Sequence, residues 1–183
     1  MSDGVAIVGC GLIGQKRAKA LAGARLTACA DVVGERAESL ARTAPGAAAG
    51  DDWRAMVDRA DVDIVIVATT NESLAEIACF AVEAGKHVLV EKPGARSLAE
   101  IDPVIDAAAR CRRLVRVGFN HRYHPALLKA HELFKSGALG DLMFVRGRYG
   151  HGGRIGYDKE WRANPALSGG GELIDQGVHL IDL

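Results

Sequence analysis

Short β-branched runs alternate with longer Ala-, Leu-, Glu- and Arg-rich patterns over the first 117 residues, which predicts a doubly wound α/β fold around a parallel sheet. Two further observations agree. The apolar runs are too short for buried helices, and Gly23 and Gly85 fall just past two helical patterns, where C-terminal stops stand. The first strand, residues 5–8, runs into a glycine-rich turn and a helix over 12–22. A second strand over 26–30 precedes a helix over 35–42, and the small-residue stretch 44–50 reads as a loop. A helix over 53–59 then leads to strand 64–68, helix 73–84, strand 87–90, helix 98–110 and strand 114–117. Five strands with intervening helices make a doubly wound sheet.

The βα rhythm stops at Gly118-Phe119-Asn120, so residues 1–119 are expected to form one domain and residues 120–183 part of another. A helix is expected from His124-Pro125 to Lys135, with Pro in its first turn. Residues 142–149 alternate as a strand, Arg146 and Arg148 making one face of its second half basic. A loop rich in glycine and charge follows and holds Arg154; after Gly169-Gly170-Gly171 a helical pattern runs from Glu172 to the last residue. One strand and two helices cannot bury two faces of a second domain, so a fragment is expected, catalytically poor alone and prone to aggregate through unpaired edges.

The 183 residues carry 23 basic and 23 acidic side chains, and the balance is local: 15 against 16 through residue 117, then 8 against 7. Nothing concentrates positive charge for nucleic acid, and 5% aromatic content argues against stacking on single strands. The 49% hydrophobic and 25% charged composition excludes a disordered chain. The 12 uncharged residues 4–15 lack a basic leader and end at Lys16-Arg17, so they are neither a signal peptide nor a membrane span. Cys10, Cys29, Cys79 and Cys111 form no C-x-x-C pair and read as reduced core thiols of a cytoplasmic protein.

Gly9-Cys10-Gly11-Leu12-Ile13-Gly14 is a G-x-G-x-x-G between strand and helix. The first glycine allows the tight turn, the second lets the backbone approach a pyrophosphate, and the third lets helix pack on strand. Asp31 follows Gly11 by 20 residues at the end of the second strand, where a carboxylate accepts from ribose hydroxyls. Val32 and Val33 come next with no adjacent arginine, which favours NAD over NADP. Glu91-Lys92-Pro93 stands just after the fourth expected strand, at the carboxyl ends where the cofactor crevice of such a sheet lies. A lysine there can donate to a substrate oxygen, or it can be a solvated loop residue. Asp175 and His179, at i and i+4, share one helical face and suit a general base with its partner, although a surface pair has the same spacing. His121 and His124 have metal-ligand spacing but no supporting third ligand, and no metal is expected.

Taken in order, these segments resemble the Gfo/Idh/MocA family of NAD(P)-dependent oxidoreductases. The resemblance is carried by the Gly9 to Gly14 turn, Asp31, Ala84-Gly85-Lys86-His87-Val88 leading into Glu91-Lys92-Pro93, Gly118-Phe119-Asn120-His121-Arg122-Tyr123, and the segment from Gly169 through Asp175 and His179 to Asp182. It covers essentially the whole chain. It implies a Rossmann domain followed by the truncated start of an α+β domain with a mostly antiparallel sheet. It implies hydride transfer between NAD and a secondary alcohol or ketone of a sugar or cyclitol, with His179 taking the hydroxyl proton, Lys92 holding the reacting oxygen and Asp175 orienting the pair. Gly9, Gly11, Leu12, Ile13, Gly14, Asp31, Thr69, Asn71, Glu91, Lys92 and Asn120 would hold the cofactor, and Arg122, Trp161 and Arg162 the substrate. Thr69-Thr70-Asn71 replaces the family's usual Thr-Pro-Asn, and Leu74 stands where a histidine is common. The expected partners are a small sugar or polyol and, at full length, further copies of the chain, with neither nucleic acid nor membrane. An NAD-dependent glycoside hydrolase working by transient oxidation and elimination, or a non-catalytic dinucleotide-binding fragment, would carry much of the same pattern.

Overall fold

The computed structural model describes residues 2–150 and 155–183; Arg154 lies outside the described residues. The chain divides into two compact units, Met1–Gly118 and Phe119–Leu183.

The first unit runs β1 (Gly4–Val8), α1 (Leu12–Ala18), β2 (Arg25–Ala30), α2 (Gly34–Ala41), β3 (Ala48–Gly50), α3 (Trp53–Val57), β4 (Ile64–Val67), α4 (Asn71–Glu83), β5 (His87–Val90), α5 (Leu98–Cys111) and β6 (Val115–Val117). All neighbouring strands pair in parallel, in the order β3-β2-β1-β4-β5-β6. The sheet is the doubly wound one expected, with its switch point between β1 and β4. Alternation along each strand feeds two cores. Ala6, Val8, Ala28, Ala30, Val65 and Val67 share one core with residues of α3, α4 and α5, while Val5, Ile7, Cys29 and Ile66 share the other with residues of α1 and α2. Each fully buried Val, Ile or Leu contributes roughly 1.5–3 kcal/mol.

One expectation is corrected here: there are six strands, not five. Residues 48–50, within the stretch read as a loop, pair with Ala28, Cys29 and Ala30 of β2. Two alanines and a glycine carry almost no strand signal, and the strand exists because β2 presents an edge for its backbone. The first helix is also shorter than expected. It ends at Ala18, and Ala22 and Gly23 take positive φ (49° and 102°) to turn the chain into β2. Gly85 does what its position suggested: at φ 79° its N–H reaches Val82 O and that of Lys86 reaches Ala81 O, closing α4.

At the end of α5 the same left-handed closure is made by Arg112 (φ 54°), with Arg113 N–H on Ala108 O at 3.0 Å. A side chain in that conformation is strained where glycine is not. Arg112→Gly should therefore raise stability by about 0.5–1 kcal/mol once the extra freedom of the unfolded glycine is deducted. Urea unfolding checks this, and a lower midpoint would show that the arginine side chain contributes more than the strain costs.

The second unit holds a 3₁₀ turn (Asn120–Tyr123), α6 (Pro125–Lys135), two further 3₁₀ turns (Tyr157–Lys159 and Trp161–Ala163), α7 (Pro165–Ser168), a π-helical turn (Leu173–Gly177) and α8 (Val178–Asp182). His124 caps α6 by accepting from Ala126 N–H through Nδ1, and Asn164 Oδ1 caps α7 in the same way. The strand expected over 142–149 is not formed. A strand needs a neighbour for its N–H and C=O groups, and none among the described residues pairs with this segment, whose Met143, Phe144 and Val145 stand exposed. Among the described residues no helix is long and apolar enough to cross a membrane.

Candidate functional site

In the first unit, the carboxyl ends of β1, β4 and β5 bring together the glycine turn, Thr69 and the Lys92 turn. Gly9 leaves β1 at φ 93°, and a Cβ there would stand 2.5 Å from Ala68 C and O and 2.8 Å from Thr69 N. The exit of β4 thus crosses directly over it. A Cβ on Gly14 would stand 2.0 Å from Gly9 O, so α1 lies on the turn itself. Gly11 is different: a Cβ there meets nothing within 4 Å. The protein's own packing does not require glycine at that position. Leu12 is exposed and Ile13 half-buried in the first turn of α1.

Asp31 is 8% exposed. Its Oδ2 accepts from Cys10 N–H at 2.7 Å and its Oδ1 from Val33 N–H at 2.9 Å. A carboxylate has about four lone-pair positions, so each oxygen keeps one for a further donor. The reading that no arginine stands beside Asp31 is true only of chain neighbours, because the first turn of α2 carries Arg36 Nη1 to 4.0 Å from Asp31 Oδ1. Beneath the turn, Cys10 and Cys29 are fully buried. Their mutual hydrogen bond and then burial push the Cys10 thiol well up, so it fills space as a neutral group.

Glu91 N–H extends the β5 ladder onto Val67 O, and Gly94 N–H closes a four-residue turn on Glu91 O, both at 2.9 Å. The Lys92-Pro93 bond in that turn is cis. Lys92 is half-buried, and the carboxylate of Glu91 is held by Arg17 of α1 at 2.5 Å. Thr69 Oγ1 accepts from Ser73 Oγ at 2.9 Å, Thr70 Oγ1 donates to Glu72 at 2.7 Å, and Asn71 is buried as the first residue of α4. Leu74, in the position where the family often has histidine, is fully buried in the core beneath α4.

In the second unit, Asp175 and His179 are each 5% exposed. Asp175 sits in the π-helical turn, a distortion often found at functional positions. Its Oδ2 accepts from Tyr157 OH at 3.0 Å and Gln176 Nε2 at 3.2 Å and lies 3.5 Å from Arg162 Nε. Burial, then the hydrogen bond to Asp175 and its charge, push the Tyr157 phenol up. Arg162 also pairs with Glu160 at 3.3 Å and stacks 4.6 Å over Trp161. His179 faces His121, their ring centroids 3.8 Å apart, and Tyr149 OH lies 3.4 Å from His121 Nε2. Asn120 opens the 3₁₀ turn at the surface, and Arg122 makes a two-pronged pair with Asp182 at 2.7 and 2.6 Å. Sequence reasoning passed over Arg17, Arg36, Tyr157 and the close, tilted approach of His121 to His179. All reach their partners through tertiary structure, and no local spacing marks them.

Two family profiles match the chain: an oxidoreductase family with an NAD-binding Rossmann fold over residues 4–119, and the GFO/IDH/MocA C-terminal domain over residues 127–183. Levoglucosan dehydrogenase of Pseudarthrobacter phenanthrenivorans is 37% identical over 134 residues, covering 72% of this chain and 34% of that protein. Inositol 2-dehydrogenase 2 of Saccharopolyspora erythraea is 34% identical across 100% of this chain and 53% of its own length. The chain therefore spans about half the length, or less, of these curated relatives. Among solved structures, levoglucosan dehydrogenase in complex with NADH and L-sorbose superposes with a TM-score of 0.85 at 29% identity, over 99% of this chain and 51% of the other.

Proposed function

Because the chain belongs to the Gfo/Idh/MocA family of oxidoreductases, we propose that the protein moves hydride between NAD and a secondary alcohol or ketone of a sugar or cyclitol. The observation that carries this reading is the match to relatives named as dehydrogenases of levoglucosan and inositol, across both units of the chain. Both names denote ring polyols. In this reading residues 1–119 bind the cofactor and residues 120–183 begin a substrate domain with a mostly antiparallel sheet. Four free cysteines among the described residues support a reducing, cytoplasmic setting.

The residues present fit a dinucleotide. The unfilled side of Gly11 gives a pyrophosphate room to approach the backbone, and the two remaining lone-pair positions of Asp31 suit the adenosine ribose hydroxyls. Gly9, Gly14, Leu12 and Ile13 shape the turn, and Thr69, Asn71, Lys92 and Asn120 would lie along the nicotinamide half. When bound, NAD supplies the hydride acceptor. His179 takes the hydroxyl proton, Lys92 donates to the reacting oxygen, and Asp175, held by Tyr157 and Arg162, keeps a negative charge on the histidine's helix. Proton transfer by such a positioned group is typically worth about 10²–10⁴-fold. Trp161 and Arg162, with Arg122, frame the substrate side.

Incubating the full-length protein with NAD and a panel of ring polyols, levoglucosan and inositol among them, should produce NADH with at least one. Production with none would overturn the reading. Calorimetric titration should show NAD binding more tightly than NADP, because the Asp31 carboxylate repels a 2′-phosphate. Asp31→Ala should close or invert that gap, since it removes the carboxylate and leaves Arg36 to meet the phosphate. Equal or tighter binding of NADP by the unaltered protein would refute the assignment of Asp31.

A further inference from the structure

We propose that Arg17 is a positioning residue for Lys92, acting through Glu91; this rests on the reading of Lys92 as the residue that holds the reacting oxygen. Arg17 lies in the last turn of α1, the helix that opens on the glycine turn. Glu91 opens the turn that carries Lys92. Arg17 Nε and Nη2 both stand 2.5 Å from Glu91 Oε1, with the two side chains only 26% and 13% exposed. At that depth a charge-assisted pair is screened less than an ordinary surface salt bridge.

A third segment has been shaped around the pair. Gly118 follows β6 with its N–H on Val90 O at 2.8 Å. A Cβ at Gly118 would stand 3.1 Å from Arg17 Nη2 and 3.3 Å from both Glu91 carboxylate oxygens. Its φ is not in the left-handed region, so the turn does not require glycine there. The missing side chain leaves the volume that the ion pair occupies.

The pair completes a restraint that the backbone begins. Glu91 is tied at its N–H to Val67 O and at its C=O to Gly94 N–H. With its carboxylate clamped as well, Glu91 cannot rotate away from α1, and Lys92 leaves the sheet from a fixed base. A lysine side chain has about 2 kcal/mol of rotamer entropy of its own, so freedom in the backbone beneath it would add directly to the search for the reacting oxygen. A displacement of about 1 Å can cost on the order of 10²-fold in rate. The pair also couples the glycine turn to the Lys92 turn, so that cofactor and lysine share one frame.

The test is a double-mutant cycle in the full-length protein, with levoglucosan and inositol as substrates, together with hydrogen exchange at the Gly94 amide in protein free of NAD. Arg17→Met should lower kcat by about 10-fold or more while leaving the KM for NAD within about twofold, and Arg17→Lys should recover part of the loss. In a Lys92→Ala background the same Arg17→Met change should cost nothing further, and the Gly94 amide should exchange faster in Arg17→Met but not in Lys92→Ala. Gly118→Ala crowds the pair without removing a charge and should give a weaker version of this pattern even where Arg17→Met folds poorly. An equal loss from Arg17→Met with and without Lys92, or unaltered Gly94 exchange, overturns the proposal. Undiminished kcat in Lys92→Ala alone overturns instead the reading on which it rests, and the proposal falls with it.

Discussion

His179→Ala and Lys92→Ala, each in the full-length protein, are expected to lower kcat/KM by at least about 10²-fold while NAD affinity stays near that of the unaltered enzyme. The separation follows from where the groups stand. Asp31 and the glycine turn, which face the ribose and pyrophosphate in this reading, are held by bonds of their own, the Asp31 carboxylate by the Cys10 and Val33 N–H groups. In the proposed mechanism, proton acceptance by His179 also sets the sign of the pH dependence. Protonated imidazole cannot take the alcohol proton, so the rate should fall as pH is lowered, and that acidic limb should vanish in His179→Ala. Profiles of kcat/KM against pH for the two proteins decide the matter, and an unchanged acidic limb in the variant removes His179 as the titrating base. Asp175→Asn keeps the shape but loses the charge that faces Arg162 at 3.5 Å. It should therefore weaken kcat by more than any loss of thermal stability would explain.

The second large effect contrasts two glycines two residues apart. Gly9→Ala is expected to destabilise the first unit by roughly 2–5 kcal/mol, combining a strained positive φ with overpacking. The atoms it would strike are backbone, Ala68 C and O, already held by Ala68 N–H on Val8 O at 2.7 Å and Gly9 N–H on Ala30 O at 2.8 Å. Neither can move without breaking the β1 ladder at its end. Gly11→Ala meets nothing and adopts the residue's φ of −71° without strain, so it should melt with the unaltered protein. Its methyl group nevertheless fills the side open to a pyrophosphate, and NAD affinity should drop at least about 10-fold. Thermal melting and calorimetric titration of both variants separate the two roles. Normal NAD binding by Gly11→Ala would show that the pyrophosphate does not approach there.

The difference between these glycines was not legible in the sequence, although their pattern was. A G-x-G-x-x-G between strand and helix announces the turn because local conformation and spacing create it. Which glycine the protein's own packing requires depends on Ala68, more than fifty residues away in the chain. Asp31 was legible for the same local reason, at the end of β2. Arg36 beside it was not, because one turn of α2 brings it back toward the strand. Glu91 and Lys92 were marked by their place after β5, whereas the clamp from Arg17 joins positions 74 residues apart. In the second unit Asp175 and His179 stood out by helical spacing, yet Tyr157 and His121 reach them from two 3₁₀ turns that no periodicity marks.

By itself the sequence determined the alternation of strands and helices, the parallel sheet and the left-handed stop at Gly85. These follow from the apolar period and from backbone φ, both set within a few neighbouring residues. Tertiary structure decided the rest. It made residues 48–50 a strand because β2 offered them an edge, and it left residues 142–149 without one because no neighbour among the described residues supplies the ladder. It also turned Gly118 into space for an ion pair. A strand's hydrogen bonds and a buried charge's partner are supplied from elsewhere in the chain, so neither can be read from the segment that needs them.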